Sequence, residues 1–209
     1  MLEPREEEFP LFPLGIVALP TETVPLHIFE DRYIRMIEHC LEQECEFGIV
    51  WLSEEELHQV GCACAIDHVI ERDEETGAMD IVARGTRPLR LVERQDELPY
   101  PAGIVEALLD AEEETDAEAA QVARELYAEL VEQATDRRLD QDELAELDAY
   151  TMAGTVEFGP DGKQELLELR SENARMRLLA MLFRAAIKRL ELVDRAQARA
   201  RSNGKVRFG

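Results

Sequence analysis

The chain has 209 residues, 45% of them hydrophobic and 33% charged, which is enough for one large core or two smaller ones. With 46 acidic and 23 basic residues, its formal net charge of -23 disfavours binding to nucleic-acid phosphates and anionic membrane surfaces. Because there is no run of eighteen apolar residues and the first eight residues are rich in glutamate, we expect a cytoplasmic protein with neither a membrane-spanning helix nor a signal peptide.

Residues 9–29 alternate short apolar runs with four prolines, which lack a backbone donor and suit strand starts, edges and turns. This pattern predicts two or three short, bent strands. A helix over about residues 31–43 is predicted next, because apolar side chains recur at helical spacing. These side chains are Tyr33, Ile34, Met36, Ile37, Cys40 and Leu41.

The segment that follows the helix consists of short runs rich in Val, Ile and Leu, separated by polar or glycine-containing turns. The runs are EFGIVWL, QVGCACAIDHVI, AMDIVARG, RPLRLVE and PAGIVEALL. Each is typical of a strand, and a meander of short strands hides its edges by curling. We therefore predict a small, partly open β-barrel over residues 9–110.

Beyond residue 110 the apolar periodicity becomes helical. A first helix carries Val122, Ala123, Leu126, Leu130 and Ala134, with Glu112, Glu113 and Glu114 as an exposed first turn. A second is predicted from a capping box of Asp140 and Glu143, with Leu144, Leu147 and Tyr150 on its apolar face. The segment TVEFGPDGKQ breaks the pattern, and a long helix then runs from about Glu172 to beyond Leu192, with Met176, Leu179, Phe183, Ile187 and Leu190 forming a stripe.

Together these patterns predict an α+β chain: the barrel, a helical bundle over residues 111–200, and a mobile tail over residues 201–209. The charge is uneven, since residues 110–148 hold fifteen acids and three arginines whereas residues 170–209 hold eleven bases and three acids. The two segments could pair with each other, or both could be solvated helix faces.

Several segments resemble the N-terminal, substrate-binding domain of Lon proteases, and most closely its stand-alone bacterial version. They are FPLFPLGIVALP, VPLHIFEDRY, EFGIV, VGCACAI, VARGTRPLRLVE, KQELLE and ARMRLLAMLF. The resemblance implies a PUA-like pseudo-barrel followed by a helical bundle, and a module that helps recognise unfolded or tagged polypeptides. The family usually has a proline-glycine turn after its second strand, whereas here Pro20 is followed by Thr21 and Glu22.

The motor and the peptidase of a full Lon protease are not predicted here. The nearest approach to a phosphate-binding loop is GPDGKQ, which has the wrong spacing and a glutamine after Lys163. A serine nucleophile would need a lysine base, but the surroundings of the three serines and three lysines do not resemble a protease domain. These residues are Ser53, Ser171, Ser202, Lys163, Lys188 and Lys205.

His58, Cys62, Cys64 and His68 have the composition of a zinc site. On a strand, however, Cys62 and His68 would lie about 20 Å apart, which is too far for one tetrahedral ion. We therefore interpret the cysteines as small core residues, with reduced thiols, and predict no metal and no cofactor.

A catalytic role for the cysteines or for the three glutamates is not favoured. Cys40, Cys62 or Cys64 as a nucleophile would need a histidine base, and His39 points to a different side of the helix from Cys40. Glu112, Glu113 and Glu114 lack the loop spacing of a calcium site. We predict no catalytic residues.

The segment LHIFEDRY carries part of the family resemblance and includes His27, Phe29 and Tyr33. Strand alternation followed by a helix start would bury Leu26, Ile28 or Phe29, and Tyr33, which predicts a structural hinge. Glu30 and Arg32 are expected to form a local ion pair across it.

Three functions are compared. The preferred hypothesis is a non-catalytic module that binds unfolded or extended polypeptide segments, alone or as an adaptor to a protease. The alternative is an RNA-binding PUA-like protein, favoured only by the basic residues Arg195, Arg199, Arg201, Lys205 and Arg207. A cysteine- or metal-dependent enzyme built on Cys62 and Cys64 lacks a positioned base and a plausible ligand set.

Overall fold

The computed structural model describes residues 5–54 and 56–203, without the side chains of residues 194 and 197–203. The strands are β1 (Arg5–Leu14), β2 (Thr23–Ile28), β3 (Phe47–Leu52), β4 (Leu57–Arg72), β5 (Met79–Gln95) and β6 (Ala102–Ala107). The helices are α1 (Asp31–Gln43), α2 (Ala117–Thr135), α3 (Gln141–Ala145), α4 (Ala149–Ala153), α5 (Pro160–Glu168) and α6 (Glu172–Asn203). Within the described residues, no helix has both the length and the apolar character needed to cross a membrane.

The six strands form one sheet in the order β2-β5-β4-β3-β1-β6, and β6 also pairs with β5. The pairings therefore return to β5, as in the predicted pseudo-barrel. The α+β class is confirmed. β1 and β3 are parallel and the other pairs antiparallel, and register shifts interrupt the ladders of β1 with β6, β3 with β4, β4 with β5, and β5 with β6. Such irregularities bend strands and let a small sheet curl.

The long strand β5 combines two segments that the sequence analysis treated as separate strands. They meet at Gly85, where the chain preceding β2 comes so close that a Cβ atom on this residue would lie 2.0 Å from the carbonyl oxygen of Leu19. Gly85 donates its N–H to the oxygen of Glu22 at 2.9 Å and accepts from the N–H of Thr21 at 2.8 Å. Glycine is required here for this close approach.

Thr21 lies in the turn before β2, where the resemblance leads us to expect a glycine. Its φ is 68°, in the left-handed region that a β-branched residue rarely adopts. A threonine in this conformation adds local strain to the turn.

The predicted helix at 31–43 is confirmed as α1. Its apolar stripe is buried at Tyr33, Ile34, Met36, Ile37 and Cys40, while Leu41 stays 38% exposed. The barrel core includes a buried cluster of Phe9, Leu11, Val50, Ala63, Leu89, Leu91 and Val105.

The chain divides into two compact units, each containing two separate segments. One takes the chain up to Glu112 together with Tyr150–Ser171, and the other takes Glu113–Ala149 together with the chain from Glu172 onward. This differs from a helical subdomain over residues 111–200, because α5 packs on β4 within the strand-rich unit. There Gln164 is buried and donates from Nε2 to the carbonyl oxygen of Val60 at 3.1 Å.

The second unit is built mainly from α2 and α6. Tyr127 of α2 lies against Phe183 of α6, with ring centroids 5.5 Å apart. The buried face of α2 differs from the predicted apolar stripe. Tyr127 is buried, whereas Leu126 is only half-buried and Ala134 is exposed. The stripe of α6 is as predicted, from Met176 through Leu179 to Ile187.

Three further helix predictions need correction. The capping box of Asp140 and Glu143 is present, but it begins a helix of five residues, and Tyr150 lies in the separate helix α4. The Gly-Pro segment predicted as a break begins α5 instead. Residues 201–203 of the predicted tail continue α6, and residues 204–209 lie outside the described residues.

Candidate functional site

The strand-rich unit contains a groove of about 480 Å³ next to the segment that joins β2 to α1. Its walls come from the end of β1, from this connecting segment, and from the ends of β3, β4, β5 and β6. The lining residues are Leu11–Leu14, His27–Glu30, Arg32, Tyr33, Leu52, Leu57, Arg94–Asp96, Pro101 and Ala102.

The inner wall of the groove is aromatic and well packed. The rings of Phe12 and Tyr33 have centroids 4.2 Å apart, and Ile28 is 1% exposed beside them. Burial raises the pKa of the Tyr33 hydroxyl, and the neighbouring Arg32 opposes that shift in part. The hydroxyl therefore stays protonated at neutral pH.

Arg32 is fixed over this wall by two contacts. Its guanidinium carbon lies 4.5 Å from the centroid of the Tyr33 ring, and its Nη2 lies 2.8 Å from Glu30 Oε2. The predicted ion pair of Glu30 and Arg32 is thus present. A cation stacked on an aromatic ring and held by a carboxylate gives the groove a polar rim above an apolar wall.

Phe29 lies on the outer rim of the groove. It is 64% exposed, and its ring stacks on that of His27 with centroids 5.6 Å apart. His27 Nδ1 lies 2.7 Å from Asp80 Oδ1 on β5, which fixes the ring beneath Phe29. Of the predicted burial of Leu26, Ile28 or Phe29, and Tyr33, Ile28 and Tyr33 are buried, Leu26 is half-buried and Phe29 is exposed to solvent.

The strand leading into the groove has an open edge. Among the described strands, β2 pairs only with β5, through the register Thr23 to Arg84 and Ile28 to Met79. Pro25 in the middle of β2 has no N–H, a device that natural sheets use on edge strands. This open edge ends at His27 and Ile28, which line the groove.

The four residues with the composition of a zinc site are not brought together. Cys62 and Cys64 are fully buried in β4, which agrees with their interpretation as core residues. His58 stacks on Trp51 with centroids 4.2 Å apart, and His68 is exposed. Among the described residues, no group of three or more His, Cys, Asp or Glu side chains is arranged to hold a metal ion.

The other candidates have structural surroundings. Cys40 is 2% exposed, so a substrate in solvent does not reach its sulfur, and burial raises the pKa of its thiol; both oppose a role as a catalytic nucleophile. His39 lies against Tyr100, with ring centroids 5.7 Å apart. Glu113 precedes α2 and accepts the N–H of Asn173 at 3.1 Å, so the three glutamates do not form that helix's first turn.

The basic residues that favoured RNA binding are only partly described. Arg195 pairs with Glu191, at 2.9 Å between Nη2 and Oε2. The side chains of Arg199, Arg201, Lys205 and Arg207 lie outside the described residues. One instance of the possible pairing between the acidic and basic segments is an ion pair in which Arg177 Nη2 lies 2.5 Å from Asp116 Oδ2.

Sequence reasoning missed a buried ion pair near the loop before β2. Lys163 Nζ of α5 lies 2.5 Å from Glu22 Oε1, and the two side chains are 10% and 14% exposed. The second oxygen of Glu22 accepts the N–H of Leu19 at 3.0 Å. The sequence signal that could have predicted α5, the helix that carries Lys163, was Gly159 followed by Pro160, because proline is favoured in the first turn of a helix.

Comparison with known proteins matches most of the chain to one family. The profile of the ATP-dependent protease La (LON) substrate-binding domain matches residues 8–184. A comparison with curated proteins gives no match.

Two solved structures share the fold. The crystal structure of a Lon N-terminal domain protein from Xanthomonas campestris is 24% identical, with a TM-score of 0.63 over 82% of this chain and 95% of that one. The N-terminal domain of the Mycobacterium avium complex Lon protease is 23% identical, with a TM-score of 0.62 over 84% of this chain and 97% of that one.

Proposed function

The chain belongs to the family of the ATP-dependent protease La (LON) substrate-binding domain, and from this premise we propose that it binds unfolded or extended polypeptide segments without catalysing a reaction on them. The observation that carries the proposal is the groove beside β2. It combines an apolar inner wall with an exposed aromatic residue, Phe29, at its rim. Concave apolar surfaces with a few fixed polar groups are typical of binding sites.

An extended segment fits this site better than a folded surface does. The open edge of β2 runs into the groove, so a bound chain can follow the strand direction and place apolar side chains against Phe12 and Tyr33. Because Pro25 removes one donor from that edge, we propose that contacts with side chains in the groove contribute more to binding than added strand pairing does.

We also propose that this protein is cytoplasmic and delivers bound polypeptides to a separate protease. The family supports this role, because its domain is named for substrate binding in an ATP-dependent protease. RNA binding remains the alternative, and the net charge of -23 opposes it.

The test is fluorescence anisotropy of a labelled, permanently unfolded protein titrated with this chain, with the same protein in its folded form as control. We expect the unfolded form to bind and the folded form not to bind. Phe29→Ala should weaken binding at least about fivefold, since exposed aromatic anchors dominate such contacts.

The matched control is Ile70→Ala. Ile70 is 61% exposed, close to the 64% of Phe29, and it does not line the groove. We expect unchanged binding for this variant. Equal binding of the folded and unfolded forms, or equal weakening by both variants, would count against the proposed function.

A further inference from the structure

Helix α1 ends in a turn that brings two cysteines together. Glu44 adopts a left-handed conformation with φ 52°, and its N–H donates to the carbonyl oxygen of Cys40. The N–H of Cys45 donates to the same oxygen at 3.1 Å. In helix ends of this kind, the residue after the left-handed position contacts the last turn of the helix, usually through two apolar side chains. Here both of these positions are cysteine.

The two side chains are adjacent free thiols. Cys40 is buried and Cys45 is half-buried. Burial and, after it, the neighbouring Cys45 thiol raise the pKa of Cys40. A disulfide requires α-carbons roughly 4.4–6.8 Å apart, and the main-chain hydrogen bond from Cys45 to Cys40, at 3.1 Å, holds these two residues next to each other.

Cys45 is also reachable from solvent through a pocket of about 330 Å³. His39 and Tyr100 form part of its wall, together with the carboxylates of Glu6, Glu7 and Glu8. These carboxylates disfavour an anionic oxidant such as glutathione disulfide, whereas a small neutral oxidant can enter. Cys40 does not line the pocket, so an oxidant meets Cys45 first.

We propose that Cys40 and Cys45 form a modification site at which hydrogen peroxide converts two thiols into one disulfide. The Cys45 thiolate attacks one peroxide oxygen, so that an S–O bond forms, the O–O bond breaks and the departing hydroxide is protonated to water. The Cys40 sulfur then attacks the sulfur of the Cys45 sulfenic acid: the S–S bond forms, the S–O bond breaks, and the Cys40 thiol proton passes to the departing hydroxyl group, which leaves as a second water. Overall, two thiols are oxidised and one peroxide is reduced to two waters.

The other two cysteines provide an internal comparison. Cys62 and Cys64 lie close together on β4 but are fully buried, and neither lines the pocket that contains Cys45. The two cysteine pairs therefore differ in whether an oxidant can reach them, and we expect Cys62 and Cys64 to stay reduced while the chain is folded.

The experiment is peptide mapping of the full chain after treatment with hydrogen peroxide and alkylation of the remaining thiols. A protease that cleaves after glutamate cuts at Glu42 and Glu44 and so separates Cys40 from Cys45. We expect a cross-linked pair of peptides that reduction splits, with Cys62 and Cys64 alkylated as free thiols. Cys40→Ser should abolish the cross-link and let a sulfenic-acid trap label Cys45.

Several outcomes would overturn the inference. They are a cross-link that includes Cys62 or Cys64, a disulfide between two chains through Cys45, oxidation of Cys45 to sulfinic acid without a cross-link, and no reaction in the folded chain. Faster reaction with glutathione disulfide than with hydrogen peroxide, at equal concentration, would overturn the assignment of a neutral oxidant. Circular dichroism before and after treatment verifies that the chain is folded in each case.

Discussion

At the scale of single residues, the ion pair of Lys163 and Glu22 has a large expected effect on stability. The two charged groups lie 2.5 Å apart with little exposure, so removing one partner leaves the other buried and unpaired. Lys163→Met should therefore lower the free energy of unfolding by about 3 kcal/mol, measured by urea denaturation.

The double variant Glu22→Gln with Lys163→Met provides the control for this prediction. It removes both charges, and glutamine can still accept the N–H of Leu19. We expect it to recover most of the stability lost in the single variant. If the double variant loses as much free energy of unfolding as the two single substitutions lose together, the two charges do not stabilise each other.

Asp116, at the start of α2, gives a pH-dependent contribution. Its carboxylate accepts the N–H of Ala119 at 3.0 Å and lies beside Arg177, and these contacts, in that order, lower its pKa. A carboxyl whose pKa is lower in the folded state stabilises above its unfolded pKa of about 3.9, and this stabilisation is lost as pH falls through the folded pKa.

Asp116→Asn keeps a side chain that can cap the helix and removes the charge. We expect the difference in unfolding free energy between the native chain and this variant to be largest near neutral pH and to vanish in acid below the folded pKa. Urea unfolding at several pH values measures it. A difference that does not change with pH would contradict the assigned role.

At the scale of elements, α5 depends on the backbone geometry of the residue just before it. Gly159 caps the helix with φ 78° and ψ 168°, a combination that is essentially restricted to glycine. Gly159→Ala should destabilise the chain by about 1–3 kcal/mol in urea unfolding.

Gly15→Ala is the matched control for this substitution. Nothing lies within 4 Å of a Cβ atom at Gly15, so we expect a change within about 0.5 kcal/mol. Equal changes in unfolding free energy for the two substitutions would mean that the backbone conformation of Gly159 does not determine the stability of α5.

The elements also show which parts of the fold local patterns can predict. Helix α1 was predicted because one apolar stripe and one polar face run along its full length. Helix α5 was missed because Gly159, Pro160 and Gly162 were interpreted as breakers, while its stabilising contact with Glu22 is 141 residues away in sequence. The two halves of β5 were separated because Gly85 interrupts the alternation, and its close contact with Leu19 is tertiary.

The groove was not predicted, for a related reason. The sequence identified His27, Phe29 and Tyr33 as a group, and the burial of Tyr33 follows from the helix stripe. Phe29 falls between the end of β2 and the start of α1, where neither periodicity applies. Its exposure is therefore decided by tertiary packing.

At the scale of the whole molecule, local periodicity did not predict how the chain divides into units. Residues 150–171 fall within the range predicted as a helical bundle, yet they belong to the strand-rich unit, in which α5 packs on β4. The match to the substrate-binding domain family covers residues 8–184 and so includes segments of both units. The family's function is thus proposed for the chain as a whole, and the groove is its proposed location.

The most direct test of the central claim is site-specific photo-cross-linking with a labelled, permanently unfolded polypeptide. A photoreactive phenylalanine analogue replaces Phe29 in one variant, Ile70 in a second and Met181 of α6 in a third, three positions that are 64%, 61% and 59% exposed. If the groove binds extended polypeptides, the variant at position 29 should cross-link strongly and be competed by unlabelled unfolded protein, with little product from the other two. Equal cross-linking at all three positions, or none at position 29, would contradict the account.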